Sequence, residues 1–284
     1  MTYSIVARDA ETGELGVAVQ SQAFNTGAAV AWARAGVGAV ATQSFTDRRY
    51  GWRGLELLAE GAAPADALAR LRADDELPEL RQVGFLDARG RTAQATGAAC
   101  IAAAGHVAGD GWAAQANLVE SARVWKAMGE AFEAARGALA LRLLAALDAA
   151  EAAGGDWRGR CAGGVVVVPA SGEPWERVID VRVEDSHTPL DDLRRLVERA
   201  LAYRAWNRAG EGRVALARSA GLSAEHQAWS PILDALDEGD VDEARRLYAT
   251  LLAREPRWEA YAGAVATHPE AGAPLRLLLG DERA

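Results

Sequence analysis

The chain has 284 residues, half of them apolar, which allows one large domain or two modest ones. Its 31 basic residues against 40 acidic ones give a formal charge of −9, and the arginines are interleaved with acids, which argues against a nucleic-acid partner. No window reaches the eighteen or so uncharged apolar residues that span a bilayer, the opening MTYSIVARD lacks secretory features, and two cysteines make no disulfide framework, so a cytoplasmic protein with no membrane partner is expected.

In chain order, Tyr3 to Arg8 and Leu15 to Gln20 read as a hairpin around the turn residues Asp9 to Gly13. A third strand, Gly36 to Gln43, follows a short connection; its small apolar residues suit burial between layers. Helical spacing then predicts Tyr50 to Glu60 and Pro64 to Ala73. Strands are expected at Arg81 to Asp87, Arg91 to Ala95 and Trp112 to Asn117. Ser121 to Ala153 is the longest helix candidate, broken or bent at Gly137 and ended by Gly154-Gly155. A last hairpin, Val165 to Val168 with Val178 to Val183, precedes a helix over Pro189 to Asn207. Strands and helices come in runs, so two packed sheets with helices outside both fit better than a parallel doubly wound sheet. The expected core contains Ile5, Val6, Val17, Val19, Val37, Val40, Val166 and Val168.

A boundary is expected near Arg208-Ala209-Gly210-Glu211-Gly212, dividing a domain over 1–207 from a small all-α domain over 213–284. Helices are predicted there at Ala224 to Asp237, Val241 to Arg254 and Pro256 to Thr267. The stretch GDVDEARRLYATLLAREPRW resembles one tetratricopeptide unit. Trp229, Leu233, Leu236, Leu247, Tyr248, Leu251 and Trp258 are expected to bury one another.

Thr2 is the sharpest candidate for chemistry. Removal of Met1 exposes an α-amino group with a reference pKa of about 8, which can take the proton from the threonine's own hydroxyl. Alternation puts Thr2 and Ser4 on one face of the first strand; on the second, Gln20 and Gln22 share a face and Ser21 points away. Thr42, Gln43 and Ser44 end the third strand. Asn117 is placed either to donate its amide to an oxyanion or to cap the following helix. In the loop Gly154 to Arg160, Arg158 either clamps a substrate carboxylate or pairs with Asp156 to fix the loop. Thr2 and Asn117 are therefore the catalytic candidates, with Ser4, Gln22, Gln43, Asp156 and Arg158 for substrate binding. Thr2, Ser4, Asn117 and Arg158 are expected to converge. Four scattered histidines without HxxxH spacing, and the absence of CxxC, GxGxxG, Walker and GxSxG patterns, point away from metals, cofactors and a serine elbow. Cys161 beside a basic run reads as a small buried thiol.

The pieces MTYSIVARDAETGELGVAVQSQ, WARAGVGAVATQSF, YGWRGLELL, RQVGFLDARGR, AGHVAGDGW, QANL, GGDWRGR and DVRVED, in that order, resemble the bacterial DUF1028 family over roughly residues 2–205. The resemblance implies an α+β fold, a four-layer αββα sandwich of the N-terminal-nucleophile hydrolase type. Family members often carry a C-terminal extension described as peptidoglycan-binding. They often have Lys or His where this chain has Gln22, and Gln where it has Cys161. Three functions are compatible: an amide hydrolase of a small-molecule substrate using Thr2, a non-catalytic binding module, and a structural homo-oligomer.

Overall fold

Turn chemistry closes the opening hairpin. The Asp9 carboxylate accepts from the backbone N–H groups of Glu11 and Thr12, and Gly13 takes a left-handed φ of 73°. β1 (Thr2–Arg8) and β2 (Leu15–Ser21) thereby pair antiparallel, with Thr2 opposite Ser21. The structure is a computed structural model that describes residues 2–208, 223–269 and 272–280.

α1 (Thr26–Val30) and β3 (Ala31–Arg34) occupy what the sequence predicts as a short connection. A five-residue helix is too short to display an apolar period. β4 (Gly38–Ser44) starts two residues later than expected, because Gly36, at φ 67°, and Val37 form the turn that leads into it. α2 (Arg49–Ala59), α3 (Pro64–Ala73), β5 (Arg81–Asp87) and β6 (Thr92–Thr96) follow the predicted order. β7 (Gly105–Gly109) was not expected; it pairs with β8 (Trp112–Asn117). The long helix candidate is two helices, α4 (Arg123–Ala134) and α5 (Leu139–Ala152), parted where Gly137 adopts φ 91°. β9 (Ala162–Val168), β10 (Ile179–Val183) and α6 (Pro189–Arg208) complete this part.

All strand pairings are antiparallel. The first sheet has the order β10-β9-β2-β1-β8-β7 and the second β3-β4-β5-β6. They pack face to face: Val6, Val17, Val19, Val166 and Val168 from the first meet Ala39, Ala41 and Leu86 from the second. Alternation turns the other residues of the first sheet toward α4 and α5. At Gly16 a Cβ would come within 2.7 Å of Leu143, so glycine admits α5 to the sheet. On the second sheet's outer face, Tyr50, Leu55, Leu58 and Leu68 of α2 and α3 cover Val40, Val83 and Phe85. Helices therefore cover both outer faces. Of the expected core, Ile5, Val6, Val17, Val19, Val40, Val166 and Val168 are buried, whereas Val37 in its turn is half-buried.

The chain divides into two compact units, Met1–Val197 and Glu198–Ala284, so the division falls inside α6. The boundary expected near 208–212 lies, apart from Arg208, outside the described residues, as does the expected start at 213. The second unit contains α7 (Ala224–Asp237), α8 (Val241–Arg254), α9 (Arg257–Ala266) and α10 (Ala273–Leu279), the last not predicted. Ser223 and Asp240 cap α7 and α8 by accepting from backbone N–H groups of His226 and Glu243. Trp229 stacks on Trp258 with ring centroids 4.7 Å apart and meets Tyr248 edge-on. Leu236 and Leu251 are buried in the same cluster, with Leu233 and Leu247 packed against it. Among the described residues no helix is long and apolar enough to cross a membrane.

Candidate functional site

The layer between the sheets is apolar at one end and polar at the other. Thr2 begins β1 between Ser21 on β2 and Asn117 on β8. Period-two alternation turns Thr2 and Ser4 inward, together with Gln115 and Asn117. From the second sheet Gln43, Gln82 and Thr96 meet them, opposite one another in register. Seven polar side chains thus come from five strands.

Donor counting fixes the direction of the network. The Gln82 amide nitrogen lies 3.1 Å from the Gly105 carbonyl and 2.9 Å from that of Ala116, and carbonyls only accept. Its oxygen must then accept, from Gln43 Nε2 at 2.7 Å and Asn117 Nδ2 at 3.0 Å. Gln43 Nε2 also donates to the Thr2 carbonyl at 3.0 Å, and Gln43 Oε1 accepts from the Ser4 hydroxyl at 2.7 Å. Gln115 Nε2 donates to Ser4 Oγ and to the Ala41 carbonyl. The Thr2 hydroxyl donates to Ser21 Oγ at 3.1 Å; Thr2 is 8% exposed, at the rim, whereas Ser4, Gln43, Gln82, Gln115 and Asn117 are more deeply buried.

A loop closes over this end. The buried Asp156 carboxylate accepts from the backbone N–H of Gln22 at 3.1 Å and of Arg158 at 2.8 Å, and pairs with the Arg158 guanidinium at 3.3 Å. Its backbone also bridges to Val119, two residues past Asn117. The Asp156 segment therefore reaches from the end of β2 to the end of β8, across the start of β1. Two non-glycine residues with left-handed φ stand beside the network: Ser44 at 71° follows Gln43, and Leu118 at 56° follows Asn117. For leucine that conformation costs about 1–2 kcal/mol, which its surroundings must offset.

The sequence candidates fall into two groups. Thr2, Ser4, Gln43 and Asn117 share the polar layer. Gln22, Asp156 and Arg158 share the loop beside it. Ser4 and Gln43 are fully buried and bonded to each other. Gln22 is exposed, with its N–H on Asp156. Arg158 pairs with Asp156, and its side chain is 42% exposed. Asn117 has committed one amide proton to Gln82.

Sequence reasoning missed Ser21, Gln82, Gln115, Thr96 and His106. Ser21 does point away from Gln20, as alternation predicts, and register puts it against Thr2, a contact that the pattern of β2 alone does not show. Gln20 instead faces the helices, fully buried, with neither amide atom bonded to a protein group. Beside it the Tyr3 hydroxyl donates to Glu151 at 2.7 Å; burial first, then that carboxylate, hold the phenol well above its ordinary pKa. Cys161, expected to be buried, is half-buried just ahead of β9. Among the described residues no group of three or more His, Cys, Asp and Glu is placed to hold a metal ion.

Two cavities bracket β1. One, of about 430 Å³, lies beside Asp9 and Arg142 at the end remote from Thr2. The other, of about 520 Å³, is lined by residues including Thr96, Gly105, His106 and Trp125. Gln82 touches both Thr96 and Gly105 of that lining as well as Asn117, which puts it at the polar end.

Comparison with known proteins places this geometry. The family of unknown function DUF1028 matches residues 2–193. The chain belongs to the DUF1028 family. A crystal structure of a protein from Silicibacter pomeroyi, assigned to the same family, is similar with a TM-score of 0.66 and 29% identity, over 73% of this chain and 93% of that one. No curated protein matches. The DUF1028 match contains the whole polar layer, the closing loop and both cavities, while α7 to α10 lie beyond it.

Proposed function

We propose that this DUF1028 protein is a hydrolase of small amides with an αββα fold of the N-terminal-nucleophile type, Thr2 being the nucleophile once Met1 is removed. The observation that carries the reading is the position of the Thr2 hydroxyl: first on a central strand, at the rim of a polar layer, between Ser21 and Asn117. The Thr2 oxygen attacks the amide carbonyl carbon while its proton passes to the threonine's own amine. Collapse of the tetrahedral intermediate breaks the C–N bond, and the proton leaves with the departing amine. Water then hydrolyses the acyl ester, releasing a carboxylic acid and restoring the hydroxyl.

The second amide proton of Asn117 is the candidate oxyanion donor. Arg158, half open to solvent, is the candidate anchor for an acidic substrate group. Gln22 cannot accept a proton and its side chain is exposed, so the base is the Thr2 amine alone. No cofactor or metal enters this scheme. Its setting is a cytoplasmic homo-oligomer acting on a small-molecule substrate.

A second reading, a non-catalytic binding protein, draws support from the inward satisfaction of Ser4, Gln43 and Gln82. Intact mass of the native protein and ammonia release from simple amides separate the two. The hydrolase reading expects Met1 to be absent, with turnover falling at least about a thousandfold in Thr2→Ala and partly kept in Thr2→Ser. Retained Met1 leaves the binding reading.

A further inference from the structure

β6 and β7 are the edge strands of the two sheets, and His106 and Thr96 lie on them at the polar end. Thr96 Oγ1 is 3.0 Å from Gln82 Nε2 and 2.8 Å from His106 Nδ1. Gln82 Nε2 has two protons for three acceptors, the Gly105 and Ala116 carbonyls and Thr96 Oγ1, and a threonine oxygen can accept twice, so the direction of the Thr96–His106 bond follows the imidazole tautomer. A Thr96 hydroxyl that donates to Nδ1 corresponds to the neutral Nε2–H tautomer. Although His106 is exposed along its strand, desolvation by the surrounding protein lowers its pKa, which favours a neutral imidazole.

His106 lines the cavity of about 520 Å³. Trp125 lines it too, buried against Gly105, where a Cβ would meet the indole at 2.5 Å. The cavity therefore combines an aromatic side chain, small residues and a neutral imidazole. β7 lies two strands from β1, with β8 between, which puts the cavity roughly 10 Å from Thr2 at the usual strand spacing. Gln82 bridges the interval by touching Thr96, Gly105 and Asn117.

We propose that this cavity receives the far end of the amide cleaved at Thr2, a carbonyl-bearing group of an acyl-amino compound about the length of a dipeptide, with His106 Nε2–H donating to its oxygen. The proposal rests on the Thr2 reading for the reaction but not for the binding. Hippuramide, the amide of benzoylglycine, supplies a ring, two carbonyl oxygens and a terminal C–N bond, and serves as the probe.

The chain has four histidines, so imidazole nitrogen NMR can follow each one. In Thr2→Ala protein His106 is expected as the Nε2–H tautomer, and hippuramide shifts its signals saturably while His187, His226 and His268 stay still. Calorimetry on His106→Phe is expected to show about tenfold weaker binding, the effect of one lost hydrogen bond. In the active protein the same change raises KM about tenfold with kcat within about twofold. An Nδ1–H tautomer, or no saturable shift at His106, overturns the proposal. Binding without turnover in the native protein defeats the Thr2 reading and leaves the pocket standing; turnover with His106 unmoved does the reverse.

Discussion

A single carboxamide at Gln82 ties the two sheets together. Its nitrogen serves two carbonyls of the first sheet, and its oxygen takes amide donors from Gln43 and Asn117. Leucine has similar bulk but strands all four groups in a buried layer, where each unmade bond costs about 1–3 kcal/mol before relaxation. Gln82→Leu is expected to lose about 2–4 kcal/mol of stability, read from the urea unfolding midpoint with an unchanged slope. Loss below about 0.5 kcal/mol would show that the network holds together without its centre. The inward set Thr2, Ser4, Gln43 and Asn117 was legible in the sequence, because period two alone decides which strand residues share a face. Gln82 was not legible, since its partners lie on four other strands, two of them in the opposite sheet. His106 has no metal-binding spacing to single it out in the sequence, and its bond to Thr96 depends on two sheet edges meeting.

At the scale of elements, a buried ion pair holds α2 and the segment after α3 to the start of β5. Asp75, with a side chain 2% exposed, accepts from the Arg81 guanidinium at 2.8 Å and from the Tyr50 hydroxyl at 2.9 Å. The hydrogen bond from Arg81 is the largest cause holding the carboxyl well below its usual range. A depressed folded pKa means stability fully present above the unfolded value of about 3.9 and lost as pH falls toward the folded one. Asp75→Asn is expected to cost about 3 kcal/mol at pH 7, because Arg81 loses its counter-charge, and the gap to the native protein narrows below about pH 4. Unfolding in urea at pH 7 and pH 3 checks the sign; a gap that widens in acid refutes it. Helices α2 and α3 were legible because each has enough turns to show a stripe. α1, β3 and β7 were not, being short runs rich in alanine and glycine, where neither period stands out. Gly137 alone predicts a break or a bend, and its left-handed backbone makes it a break.

The two-part organisation was legible as a change from mixed to wholly helical patterning, but its position was not. Composition points to the glycines at 210 and 212, whereas the compact units divide at Val197 and Glu198, within a continuous α6. A helix that runs through a division carries no turn residues to mark it. Each unit has its own apolar cluster: that of the first lies between its sheets and under its helices, and that of the second centres on Trp229, Tyr248 and Leu251. Every residue of the polar layer lies in the first unit, within the segment matched by the family. Leu190, Leu193 and Val197 of α6 are buried, so a cut at Val197 would expose the end of a packed helix. A chain ending at Arg208 keeps α6 whole. It is expected to unfold cooperatively, with the stability of the first unit in the native protein to within about 1 kcal/mol, and to release ammonia from amides at the native rate. If that shortened chain folds, by near-ultraviolet circular dichroism and a single urea transition, yet turns over no amide, the second unit must contribute to the site, and the assignment of all chemistry to the first unit is wrong.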